Sequence, residues 1–142
     1  MTLDPRLPGW MPHRPPMLLL ETVAEATDQG GAALARVDPD AWYADAGGAM
    51  PGWFGVELMA QAVAACRGRE LAGRGQGPRG GYLVGVRGYR CALPAFPPGA
   101  ALEVQVRLDH ADPSGLRRFQ CAILVGQDTV AEGVLTLLEQ QP

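Results

Sequence analysis

The stretch Met50-Pro-Gly-Trp-Phe-Gly-Val-Glu-Leu-Met-Ala-Gln-Ala-Val-Ala-Ala-Cys66 decides the fold. Pro51 suits a first helical position, because the N–H that proline lacks has no partner there anyway. From Trp53 to Cys66 nearly every residue is apolar, so the spacing predicts a helix enclosed on most sides. Its two polar side chains, Glu57 and Gln61, stand four residues apart and therefore share one face. A carboxylate on such a helix requires either a partner or a task.

On the C-terminal side, residues 68–81 are rich in glycine and read as a flexible connection. The pattern then changes to period two. Leu102, Val104, Val106 and Leu108 alternate with Glu103, Gln105, Arg107 and Asp109, as a half-buried strand requires. Residues 82–93, 115–125 and 129–138 read as further strands. Turns at Pro97-Pro98-Gly99, Asp112-Pro113-Ser114-Gly115 and Gly126-Gln127-Asp128 separate them. On the N-terminal side, residues 17–25 and 32–37 read as two strands joined at Asp28-Gln29-Gly30-Gly31. Residues 1–16 hold five prolines and read as an arm without regular structure. The order is two strands, one apolar helix and four strands. An α+β fold, one curled antiparallel sheet around a central helix, satisfies that burial pattern. The 142 residues suit a single domain spanning 1–142.

Composition narrows the function. With 47% apolar and 19% charged residues the chain can build a core. A net charge of −3 opposes a general nucleic-acid binder, which needs a basic face. All 12 cations are arginine, which removes lysine Schiff-base chemistry. His13, His110, Cys66, Cys91 and Cys121 lack metal-ligand spacing, so no metal site is expected. The cysteines read as core residues, and His110 as a solvated turn residue. No apolar stretch approaches the length of a membrane span, and the start lacks the apolar run of a signal peptide. With three scattered cysteines, this favours a cytoplasmic location.

The segments Pro12-His-Arg-Pro-Pro-Met-Leu-Leu-Leu-Glu21, Met50–Gln61 and residues 82–99 together resemble the FabZ-type 3-hydroxyacyl-acyl-carrier-protein dehydratases. Within that family the chain is most similar to divergent dehydratase-like members of aryl-polyene and polyketide clusters. The resemblance implies a hotdog fold and a homodimer with acyl sites at the subunit interface, or a heterodimer with a histidine-bearing relative. It implies an acyl thioester substrate carried on the phosphopantetheine of an acyl carrier protein or on coenzyme A, with no separate cofactor. Glu57 would exchange a proton with the β-hydroxyl, and the Gly52 amide would hold the thioester carbonyl. Pro51, Trp53 and Gln61 would line the substrate pocket. The family's loop histidine is replaced here by Tyr43, in Trp42-Tyr-Ala-Asp-Ala-Gly-Gly48.

Three residues are then candidates for the missing base. Tyr43 occupies the position but has an ordinary pKa of about 10. Asp45 lies in the same loop. His13 belongs to a stretch that the resemblance places beside the acyl tunnel. Desolvation on the apolar helix is expected to raise the pKa of Glu57. Two alternatives to dehydration stay open: a non-catalytic subunit completing a heterodimer, and a hotdog thioesterase. Between Arg67 and Arg90, six arginines face only Glu70, a local charge of +5 that would suit docking of an acidic carrier protein.

Overall fold

A computed structural model describes residues 3–141. Two strands, β1 (Leu20–Thr27) and β2 (Gly30–Arg36), lead through a short β3 (Met50–Pro51) into α1 (Phe54–Gly73). Then follow β4 (Gly81–Cys91), a short β5 (Ala95–Phe96), β6 (Ala101–Ala111), β7 (Leu116–Val125) and β8 (Asp128–Glu139). The six long strands form one antiparallel sheet in the order β1-β2-β6-β7-β8-β4, and β3 pairs with β5 alone. The sheet curls around α1, which packs chiefly on β1, β2 and β6. This is the hotdog fold.

The period-two signal is realised in β6. Leu102, Val104 and Val106 are buried under the helix, while Gln105, Arg107 and Asp109 face outward. From the helix, Leu58, Met59, Ala62, Ala65 and Cys66 close the core, joined by Phe96, Ile123 and Leu135. The outer edge differs. Every residue of β4 from Gly81 to Gly88 is exposed, including Tyr82, Leu83, Val84 and Val86.

Three expectations are corrected. Pro51 lies in β3 rather than opening the helix, which starts at Phe54 without a side-chain cap. The helix runs seven residues beyond Cys66, into the expected flexible connection as far as Gly73. Arg67 and Arg74 both pair with Glu70, at 2.8 and 2.6 Å, supporting that last stretch at helical spacing. Gly68 is needed there because a Cβ would collide with the Trp10 carbonyl oxygen. The arm also has more order than its prolines imply. It contains a 3-10 turn at Leu7–Gly9 and buries Leu7, Trp10 and Met11.

Candidate active site

Gln61 is the organising residue. It is fully buried, and all its polar capacity has direction. Oε1 accepts the Leu19 N–H at 2.9 Å, while Nε2 donates to the Met17 carbonyl at 2.8 Å and to Glu57 Oε1 at 2.9 Å. A buried amide satisfied by backbone on both sides cannot rotate freely, so it fixes the carboxylate one turn earlier. His13 Nε2 stands 3.4 Å from the same Glu57 oxygen. Its Nδ1 is buried without a partner among the described residues. The structure therefore brings together three sequence candidates separated by up to 48 positions, with Glu57 between the other two.

Glu57 and His13 line one end of a groove of about 260 Å³. Ala60, Val63 and Ala64 of α1 form one wall, and Leu83, Phe119 and Leu137 of the sheet form the other. The helix supplies small side chains where the groove needs width. Glu57 also sits in the first helical turn, where the amide dipoles favour negative charge. Within one chain the carboxylate is less enclosed than the sequence implied, its side chain being 42% exposed. Its neighbours on the helix are apolar, but the groove opens beside it.

The loop candidates lie elsewhere. Tyr43 is buried against Trp42 and Phe54, and its hydroxyl accepts the Asp38 N–H at 2.8 Å. Burial pushes its pKa up, away from the range of a base near neutrality. Asp45 ties its own loop together, Oδ1 accepting the N–H groups of Gly47 and Ala49. The Gly52 amide is also committed, donating to the Pro94 carbonyl at 3.0 Å. The β3–β5 pair, invisible to helix-start reasoning, takes that N–H away. Among the described residues, nothing accepts the Trp53 and Phe54 N–H groups just beyond it. Pro51, Trp53 and Gln61 do not line the groove: Trp53 is 72% exposed and Gln61 lies behind Glu57.

The family model for ApeP-like proteins, described as ApeP dehydratase, matches residues 5–142. The chain belongs to the ApeP-like family. A similar solved structure is the dehydratase heterocomplex ApeI:P from Xenorhabdus doucetiae. It shares 29% identity over 95% of this chain and 91% of that one, with a TM-score of 0.87. More distant structures share the fold alone. The TT0310 protein from Thermus thermophilus is 15% identical over 84% and 91% of the two chains, with a TM-score of 0.63. A hypothetical thioesterase with coenzyme A from Streptococcus pneumoniae is 13% identical over 83% and 84%, with a TM-score of 0.64. No curated protein matches the chain.

Sequence reasoning missed Tyr89 and the far end of the groove. The Tyr89 hydroxyl donates to the Gly52 carbonyl and packs on Gly55, where a Cβ would collide with it. Thus Gly55 of the apolar motif is a socket for a tyrosine from β4, which no local pattern announces. The basic run is largely consumed internally. Arg67 and Arg79 bond Glu139, Arg74 bonds Glu70, and Arg69 donates to the Val23 carbonyl at 2.7 Å. These contacts leave no continuous arginine rim; Arg90, 80% exposed, and the exposed Arg87 stand on β4. Cys66 and Cys121 are buried, and burial pushes both thiols up to about 12, as befits core residues. No helix among the described residues is long and apolar enough to cross a membrane.

Proposed function

We propose that the protein is a subunit of a hotdog dehydratase that removes water from 3-hydroxyacyl thioesters in fatty acid, aryl polyene or polyketide biosynthesis. The observation that carries this reading is the chain of contacts Gln61–Glu57–His13 at the end of an apolar groove. The thioester would arrive on the phosphopantetheine of an acyl carrier protein or on coenzyme A, in the cytoplasm, with no further cofactor.

Dehydration needs a base for the α-proton, an acid for the departing hydroxyl and donors for the enolate oxygen. Glu57, with Oε1 held by Gln61, presents Oε2 to the β-hydroxyl and delivers the proton with which it leaves as water. His13, whose imidazole stands beside Glu57, takes the α-proton within this chain. The Trp53 and Phe54 N–H groups at the start of α1 are the donors for the thioester oxygen, in place of Gly52. Tyr43 and Asp45, occupied by their own loop, have no part in proton transfer.

The subunit works as a dimer. The unpaired β4 edge, carrying Tyr82, Val84 and Val86, would join the corresponding edge of a second hotdog chain. Likeness to one chain of a dehydratase heterocomplex supports a related dehydratase as that partner. Its histidine would complete a second acid–base pair that this chain's tyrosine at position 43 does not provide.

The test is turnover of a 3-hydroxyacyl-pantetheine thioester by the chain alone and with a histidine-bearing relative. Formation of the conjugated thioester and release of free thiol are followed separately. We expect unsaturation without thiol release, and a loss of roughly 10²–10⁴-fold on Glu57→Gln. Thiol release without unsaturation would make the protein a thioesterase. An unchanged rate in Glu57→Gln would remove Glu57 from the chemistry.

A further inference from the structure

The groove that begins at Glu57 ends among arginines. Arg67 follows Glu57 by ten residues on the same helix, about 15 Å along its axis. There Arg67, Arg79, Arg117 and Glu139 line the groove and Glu70 pairs with Arg67, their side chains all no more than 24% exposed. Glu139 accepts two bonds from Arg67, at 2.9 and 3.0 Å, and one from Arg79 at 3.0 Å. Glu70 accepts from Arg67 at 2.8 Å. Within this enclosed cluster three guanidiniums face two carboxylates.

The excess cation is Arg117. Its nearest approach to Glu139 is 3.9 Å, too long for a hydrogen bond, and its Nε is buried without a partner among the described residues. Glu70 Oε2 is likewise buried without a partner among them, but Arg117 lines the groove and Glu70 does not. It lies over the Phe119 ring, 6.0 Å from the centroid, at the junction of the apolar wall and the ionic cluster. Desolvation, with repulsion from Arg67 and Arg79, lowers the pKa of Arg117 despite the opposing attraction of Glu139 and Glu70. A structural tie between α1 and β8 needs Arg67, Glu70 and Glu139 only. It does not need a third buried guanidinium beside the cavity.

We propose that Arg117, supported by Arg79, recognises a carboxylate at the far end of the acyl chain. On this reading, which rests on the acyl thioester function above, the groove selects ω-carboxyacyl over methyl-terminated chains. A planar carboxylate matches the two-pronged donor geometry of a guanidinium and neutralises the excess charge. The apolar middle, Ala60, Val63, Ala64, Leu83 and Leu137, then holds the methylene chain between the two polar ends.

The test is calorimetric binding of two 3-hydroxyacyl-pantetheine amides of equal length to the purified protein, one ending in methyl and one in carboxylate. The readout is the ratio of their affinities. The wild type should prefer the carboxylate by about tenfold, with the preference weakening as salt rises. In Arg117→Met the ratio should fall to about one, and Arg79→Gln, in the connection before β4, should reduce it as well. The second variant carries the test if Arg117→Met does not fold. Equal affinity for both amides in the wild type overturns the proposal and leaves the acyl reading standing. If neither amide binds, the acyl reading fails too. A third ligand, methyl-terminated but bearing the pantetheine phosphate, locates the anion. Affinity that follows this phosphate and is lost in Arg117→Met would show the cluster to be a site for the carrier arm and overturn the proposal.

Discussion

Replacing Gln61 by glutamate isolates the contact that organises the site. The side-chain shape is retained, and the oxygen accepting the Leu19 N–H is preserved. What changes is the atom 2.9 Å from Glu57 Oε1, which becomes a carboxyl oxygen instead of an amide nitrogen. With both groups ionised, the repulsion at about 3 Å and an effective dielectric of about 20 is roughly 5 kcal/mol. Protonating a carboxyl of ordinary pKa about 4.3 at pH 7 costs less, roughly 3.7 kcal/mol. Protonation therefore wins, and sets the ceiling on the electrostatic penalty.

The sign follows from linkage. The pair's folded-state affinity for a proton exceeds that of the unfolded chain, so its stability contribution is present at low pH and lost as pH rises. At pH 4 the variant carries its proton as an O–H donor to Glu57. It loses only the bond to the Met17 carbonyl, a cost of about 1 kcal/mol. Near pH 7 the deficit should grow to about 5 kcal/mol. Gln61→Leu instead leaves the Leu19 N–H unpaired and should cost about 2–4 kcal/mol with no comparable pH dependence. Urea unfolding followed by circular dichroism from pH 4 to 8, at fixed protein and salt concentration, measures both. A Gln61→Glu deficit that stays flat with pH, or runs parallel to Gln61→Leu, would refute the contact as described.

Other consequences test the surroundings. Gly55→Ala should destabilise by about 2–3 kcal/mol because its Cβ meets the Tyr89 hydroxyl, and the cost should be non-additive with Tyr89→Phe in a double-mutant denaturation cycle. Tyr43→Phe should cost about 1 kcal/mol through the lost acceptor for the Asp38 N–H, and should leave dehydration turnover within about twofold. Burial alone would raise the pKa of Glu139, but hydrogen bonds from Arg67 and Arg79 and the charges of Arg67 and Arg117 hold it below the ordinary value of 4.5. Its contribution is therefore present above that value and lost as pH falls through the lower folded one. Stability curves of wild type and Glu139→Gln should converge on acidification below about pH 4.5.

Much of the fold is local information. The apolar run through Cys66 is an enclosed helix because each of its faces must avoid water, and the alternation from Leu102 to Leu108 is a strand for the same reason. Both are written residue by residue. The motif that carried the family resemblance also contains Glu57 and Gln61 at helical spacing, so the carboxylate and its neighbour on the same face are legible in the sequence. The resemblance puts Gln61 in the pocket lining, whereas the structure shows it holding Glu57.

What local pattern did not contain is where chain segments distant in sequence meet. The Gly52 amide, which the resemblance assigned to the thioester carbonyl, donates instead to the Pro94 carbonyl next to the β3–β5 pair, a contact that no local pattern contains. The loop around Tyr43 satisfies itself, and His13, one of three candidate bases in the sequence, is the one that reaches Glu57, from an arm whose prolines do not announce that contact. The far end of the groove joins Arg67, Arg79, Arg117 and Glu139 from a helix, a loop and two strands. Such contacts depend on how the elements pack. The sequence by itself determined the helix, the strands and the carboxylate. The tertiary structure decided which groups stand beside it, because hydrogen bonds and ion pairs form between neighbours in space.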